Sequence, residues 1–136
     1  MKGKAFKFGD NISTDHIAPG RLFHLRSDLQ EFAKHVLEDA DENFAKNMNK
    51  GDFVVAGNNF GLGSSREHAP QIIKIAGVGA VIAKSFARIF YRNAINIGLP
   101  ILECPAASEA IAEGDTVSID FDTGVITDVT KGTTYQ

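Results

Sequence analysis

The sequence predicts a single α/β domain built on a mixed sheet, and three observations predict it. Short apolar runs bounded by glycine, Phe53-Val54-Val55-Ala56 and Gly79-Ala80-Val81-Ile82-Ala83, have the length and β-branched content of buried strands. Helical patterns lie between and after them, so strand and helix alternate through the middle of the chain. The end is all strand: residues 116–121 and 125–129 read as a hairpin turning at Asp122-Thr123-Gly124.

Each element follows in order. Residues 4–8 alternate charged and aromatic side chains, as a half-buried strand does. Residues 10–20 are rich in Asn, Asp, Pro and Gly and read as turns. Ser27-Asp28-Leu29-Gln30 has the Ser-x-x-Gln spacing of a capping box. Behind it Leu29, Phe32, Ala33, Val36 and Leu37 recur at helical spacing, so an amphipathic helix is expected to reach Leu37. Residues 39–50 are polar, a short helix and loop. A helix should begin near residues 68–70, because Pro70 suits a first turn, and run through Ile72, Ile73 and Ala76. A further helix is expected over residues 85–97 with Phe86, Ile89, Phe90 and Ala94 inward. A strand follows over residues 99–102.

Composition bounds the function. The 136 residues form one domain, residues 1–136, large enough to bury about two-thirds of the unfolded surface. No apolar run approaches the roughly 20 residues of a membrane span, and Met1-Lys2-Gly3-Lys4 lacks the apolar stretch of a secretion signal. No membrane association and a cytoplasmic location are the expectation. A net charge of −3 argues against a nucleic-acid partner, which calls for a basic face. The single cysteine, Cys104, cannot form an internal disulfide or assemble a zinc or iron–sulfur site. In Ile101-Leu102-Glu103-Cys104-Pro105 it reads as a structural thiol at the end of a buried strand. His24 and His35 are isolated, and neither points to a metal.

The most informative stretch is Gly57-Asn58-Asn59-Phe60-Gly61-Leu62-Gly63-Ser64-Ser65-Arg66-Glu67-His68-Ala69-Pro70. Three glycines permit positive φ or a close backbone approach. Two hydroxyls, an arginine and a histidine follow, just ahead of a helix start. Backbone N–H groups and a helix N-terminus stabilise an anion there, and a guanidinium grips a carboxylate bidentately. Nucleotide motifs fit poorly. The dinucleotide fingerprint needs a third glycine where Arg66 stands, and a P-loop needs Lys directly after Gly63, where the chain has Ser64. On these residues alone, a purely structural loop with the serines capping the helix stays open.

Residues 59–70 resemble the Asn-Phe-Gly-x-Gly-Ser-Ser-Arg-Glu-His-Ala-Pro signature of the swivel domain of aconitase-type hydro-lyases. Gly9-Asp10-Asn11, Thr14-Asp15-His16-Ile17 and Ser85-Phe86-Ala87-Arg88-Ile89-Phe90-Tyr91-Arg92-Asn93-Ala94 also match. The resemblance covers residues 3 to 130. It implies a β/β/α swivel fold and a hydro-lyase that moves a hydroxyl between neighbouring carbons of a di- or tricarboxylic acid. The stand-alone form of this domain is the small subunit of 3-isopropylmalate dehydratase and of homoaconitase, active only with a large subunit. A [4Fe–4S] cluster is then expected in the large subunit, with no cofactor or metal on this chain.

Carried over residue by residue, the resemblance makes Ser64 the general base and Ser65 and Arg66 substrate binders. Arg26 falls six residues after Gly20, where fused aconitases place a substrate-binding arginine. Gly61 and Gly63 support the loop. Asp15 and His16 are expected to hold the N-terminal loop through local hydrogen bonds, and His68 to shape the turn after Ser64. Arg88 and Asn93 read as packing and interface positions. A non-catalytic anion-binding module that regulates a partner is the alternative of another class.

Three departures from the family pattern bear on substrate and assembly. The specificity segment reads Leu22-Phe23-His24-Leu25-Arg26, Leu62 stands where cysteine is common, and Gln136 ends the chain ahead of a helical tail common in small subunits. The leading substrate is 3-isopropylmalate with 2-isopropylmalate, for leucine biosynthesis; homocitrate and a smaller citramalate or dimethylmalate are the alternatives.

Overall fold

A computed structural model of the chain describes residues 1–63 and 68–136. The elements are β1 (Lys2–Lys7), α1 (Thr14–Ile17), a 3-10 stretch (Gly20–Ser27), α2 (Leu29–Ala33), α3 (Phe44–Asn47), β2 (Phe53–Ala56), α4 (His68–Ala76) and β3 (Ala80–Ala83). They continue with α5 (Arg88–Ile97), β4 (Ile101–Glu103), α6 (Pro105–Ala110), β5 (Thr116–Asp120), β6 (Val125–Asp128) and β7 (Thr133–Tyr135).

Among the described residues the seven strands form one sheet in the order β4-β3-β2-β1-β5-β6-β7. The β1–β2, β2–β3 and β3–β4 pairs are parallel. The β1–β5, β5–β6 and β6–β7 pairs are antiparallel. The expected mixed sheet is therefore present, and β1 joins its two halves: residues 5–7 pair with β2 and residues 2–4 with β5. Two cores lie on opposite faces. Val54 and Val81 join Phe8, Phe32, Phe44, Phe60, Ile72 and Phe90 on one, while Phe53, Val55, Ala80 and Ile82 join Ile111, Val117 and Ile126 on the other. Central strands buried on both sides read as unbroken apolar runs, which is why β2 and β3 were visible in the sequence.

The structure corrects several expectations. The cap of α2 is Asp28, whose Oδ1 accepts the Glu31 N–H at 3.2 Å, and Ser27 belongs to the preceding 3-10 stretch. The helix ends at Ala33, far short of Leu37. Leu37 has φ +57° and donates its N–H to the Ile17 carbonyl at 3.0 Å. A long-range backbone bond thus replaces the helical one, while Val36 and Leu37 stay buried as their spacing required. His35 consequently lies beyond the helix and meets Glu38 at 2.7 Å.

Helix α5 starts at Arg88 and not at residue 85, because Phe86 pairs with Phe60 in a parallel bridge. Phe60 donates to Ser85 O at 3.1 Å and accepts from Ala87 N at 2.9 Å, which holds residues 85–87 extended. The helix turns accordingly, and Ile89, expected inward, is 51% exposed. Strand β4 begins after Pro100, two residues later than expected. Cys104 is buried, as a structural thiol should be, but as the residue capping α6. Sequence patterning missed α6, whose Ala-rich turn and a half follows Pro105 at N1, and the three-residue β7.

Candidate active site

The segments that carry the family signature meet where the chain leaves the carboxyl ends of β1, β2 and β3, the edge at which α/β sheets bind ligands. Each is short of conventional secondary structure, and each satisfies its backbone on the others. Gly57 N–H donates to Gly9 O at 3.1 Å, and Asn11 N–H to Asn58 O at 2.8 Å. Gly61 N–H donates to Ile12 O at 2.7 Å, and Thr14 N–H to Leu62 O at 2.8 Å, with Ser13 opposite Leu62 in a parallel bridge. On the other side Phe60 is bridged to Phe86, and Asn59 N–H donates to Ser85 Oγ at 2.8 Å. The signature loop is therefore a short central ribbon flanked by the segment after β1 and the segment after β3.

Two glycines are required by this threading. Gly61 has φ +85°, and a Cβ there would stand 2.3 Å from Phe90 Cγ, inside the buried ring. Gly63 has φ +111°, with room for a Cβ only 3.1 Å from Thr14 Oγ1. At both positions a side chain would adopt a left-handed φ that glycine alone takes freely. Asn59 and Asn11 also take left-handed φ, +56° and +59°, a region that Asn tolerates among residues with a side chain. Their side chains meet, Asn59 Nδ2 to Asn11 Oδ1 at 3.4 Å.

Ser64, Ser65 and Arg66, the expected base and substrate binders, lie outside the described residues, as does the side chain of Phe23. The structure positions what surrounds them. On the N-terminal side, His16 closes α1 onto its own cap. Ser13 Oγ accepts from His16 N–H at 3.2 Å, and His16 Nδ1 accepts from Ser13 N–H at 2.9 Å. This reciprocal box ties His16 to the start of α1, with Asp15 exposed on the same turn. On the C-terminal side His68, half-buried, opens α4 beside Phe32, ring centroids 6.5 Å apart. Arg26 is exposed near the end of the 3-10 stretch, just before α2, which packs against α4.

Sequence reasoning assigned no individual role to Asp10 or Ser85, which the structure places with Gly57 at the joints of the ribbon. Asp10 Oδ1 accepts the Asn58 N–H at 2.7 Å. The turn-residue cluster Gly9-Asp10-Asn11 was the available signal. Among the described residues no group of three His, Cys, Asp or Glu side chains could hold a metal ion, and no helix is long and apolar enough to cross a membrane.

A parallel-sheet edge that carries the glycine signature loop on a β/β/α frame defines the swivel-domain class. Residues 10–107 match the Aconitase C-terminal domain family, and the chain belongs to that family. It is 64% identical to the 3-isopropylmalate dehydratase small subunit 1 of Thermotoga maritima, over all of this chain and 81% of that one. It is 61% identical to the 2,3-dimethylmalate dehydratase small subunit of Eubacterium barkeri, over 99% of this chain and 82% of that one. The crystal structure of 3-isopropylmalate dehydratase from Methanocaldococcus jannaschii superposes with a TM-score of 0.93. That protein is 50% identical, with 98% of this chain and 78% of the other covered.

Proposed function

We propose that this chain is the small subunit of a dehydratase that interconverts 3-isopropylmalate and 2-isopropylmalate by dehydration and rehydration, as in leucine biosynthesis. The observation that carries the reading is the 64% identity, over all of this chain and 81% of the relative, to a protein of that name. The convergence of the three family segments on one sheet edge supports it. In this reading Ser64 removes the proton next to a substrate carboxylate, and the loop's N–H groups and the start of α4 stabilise its alkoxide. Ser65 and Arg66 hold the substrate, and Arg26 grips a second carboxylate.

The resident metal of this family fits poorly on this chain. The single thiol is buried at the start of α6, whereas a cluster takes three or four ligands. A [4Fe–4S] cluster, which supplies Lewis-acid chemistry at the departing hydroxyl, belongs on the large subunit, and the chain works in the cytoplasm as one half of a heteromeric enzyme.

A second reading is carried by the 61% identity to a 2,3-dimethylmalate dehydratase small subunit. It keeps the chemistry and changes only the substituents, from isopropyl to methyl. Co-expression with the large subunit, followed by steady-state assays on both malates, separates them. The first reading expects kcat/KM to favour isopropylmalate; a preference for dimethylmalate reverses it, and turnover by this chain without a partner contradicts both.

A further inference from the structure

We infer that the outward face of α5 is the surface on which the large subunit docks. The inference rests on the proposed function for the identity of its partner and on the following geometry for its location.

Helix α5 is amphipathic in an unusual sense. Phe90 and Ala94 anchor it to the core, yet its opposite side is only partly polar. Ile89, Tyr91 and Ile95 are 51%, 44% and 54% exposed. Other large apolar side chains on the described surface are scattered singly, which is ordinary for a soluble protein; three on one ten-residue helix are not. Arg88 and Arg92, both exposed, stand among them: residues 88, 91, 92 and 95 share one helical face. The helix carries no carboxylate, and among the described residues neither arginine forms an ion pair. In a chain of net charge −3 this is a local basic and apolar surface. Its Tyr and Arg are types enriched at interfaces, and the Lys and Glu depleted there are absent.

The position of the face selects the occupant. Phe60 of the signature loop packs on Phe86 and Phe90 with ring centroids 6.0 and 5.2 Å away, and Phe86 meets Tyr91 at 6.2 Å. An aromatic path therefore runs from the loop that leads to Ser64 out to the exposed face. Gly61 rests directly on Phe90. A subunit that completes the site by covering this loop must also cover the start of α5, and the face continues from there without a break. The matching surface on the partner is apolar at its centre, with carboxylates opposite Arg88 and Arg92.

The test is the affinity of the full chain for its large subunit, measured by titration with Ile95→Glu, Arg92→Glu and, as a control on the far side of the sheet, Phe121→Glu. Truncating or reversing an interface anchor costs tenfold or more in Kd. Ile95→Glu and Arg92→Glu should each weaken binding at least about tenfold while the free variants melt within a few degrees of wild type. Activity should return as large subunit is added in excess. Phe121→Glu should bind within about twofold of wild type. Unchanged affinity in both folded α5 variants, while the wild-type pair assembles and turns over, overturns the docking face and leaves the function standing. A wild-type pair that assembles without dehydratase activity fails the function and leaves the face to be judged by Kd. A wild-type chain that does not bind the large subunit takes both down. A homodimer of the free chain, seen by sedimentation and dissolved by Ile95→Glu with large-subunit affinity intact, assigns the face to a second copy and overturns the inference.

Discussion

The carboxylate of Asp10 occupies the space that a side chain on Gly57 would fill. A Cβ at Gly57 would lie 1.8 Å from Asp10 Oδ1, the same oxygen that accepts the Asn58 N–H at 2.7 Å. The pair joins the end of β1 to the start of the signature loop, so the path toward Ser64 depends on a carboxylate and an absent methyl group.

Gly57→Ala should therefore act at the loop as well as on stability. Displacing the hydrogen-bonded carboxylate costs about 1–3 kcal/mol, and kcat of the assembled enzyme should fall with it. Asp10→Asn keeps the acceptor oxygen and should stay near wild type, whereas Asp10→Ala should resemble Gly57→Ala. Gly9→Ala, facing open space, is the control. Denaturant melts and steady-state assays read both effects; a harmless Gly57→Ala contradicts the pairing.

Gly61→Ala meets two penalties at one atom, a φ of +85° and the Phe90 ring. Overpacking of this kind costs about 1–3 kcal/mol, and positive φ adds to it. The expected result is a lowered melting temperature together with a lowered kcat. A variant with wild-type stability would show that the loop can leave Phe90 at no cost.

Ser64→Ala should lower kcat about 10²–10⁴-fold, the contribution typical of a positioned acid or base. Assembly with the large subunit should survive, since one hydroxyl is removed. Ser65→Ala should act more gently. Near-normal kcat in the Ser64→Ala complex removes the serine from the base role and favours a non-catalytic anion module.

Arg66→Ala should depress kcat/KM for every hydroxy-dicarboxylate if the arginine grips the common core as proposed. Arg26→Ala should do the same if it shares that core. Selective loss with tricarboxylates, measured across a substrate panel, would instead make Arg26 the reader of the variable substituent and displace isopropylmalate as the substrate.

The pH dependence of stability should centre on two neighbouring acids. Asp128 is fully buried, and burial first, with the Asp115 side chain second, pushes its carboxyl above the ordinary Asp value. The native state then holds this proton where the unfolded chain has lost it, so Asp128's contribution falls as pH rises through that window. Asp115 runs the other way. The Ala112 N–H, then Asp128, hold its carboxyl low, and its contribution is lost as pH falls. Asp128→Asn keeps an acceptor for the Lys131 N–H and removes the costly charge. Its melting temperature relative to wild type should be more favourable at pH 8 than at pH 4. A pH-independent difference contradicts the assignment.

Much of the candidate site was legible because its chemistry is local. Gly61, Gly63, Ser64, Ser65 and Arg66 sit in one unbroken run, and His16 closes on Ser13 only three residues away. Asp10 and Ser85 were not legible as site residues. Their partners, Asn58 and Asn59, lie 48 and 26 positions away, and no spacing rule links a carboxylate or hydroxyl to a distant N–H.

The same division runs through the fold. The sequence by itself determined the strands β2 and β3, the helix α4 whose first turn holds Pro70, the β5–β6 hairpin and the family to which the chain belongs. Each of these is written in neighbouring residues, as apolar runs, turn chemistry or a contiguous signature. Tertiary structure decided where helices stop and which way they face. Leu37 leaves the helix because Ile17 offers a carbonyl, and Ile89 faces outward because Phe60 holds residues 85–87 extended before α5 can begin. Periodicity states that a residue has a face; only a partner distant in sequence determines where the helix starts, and with it where that face points.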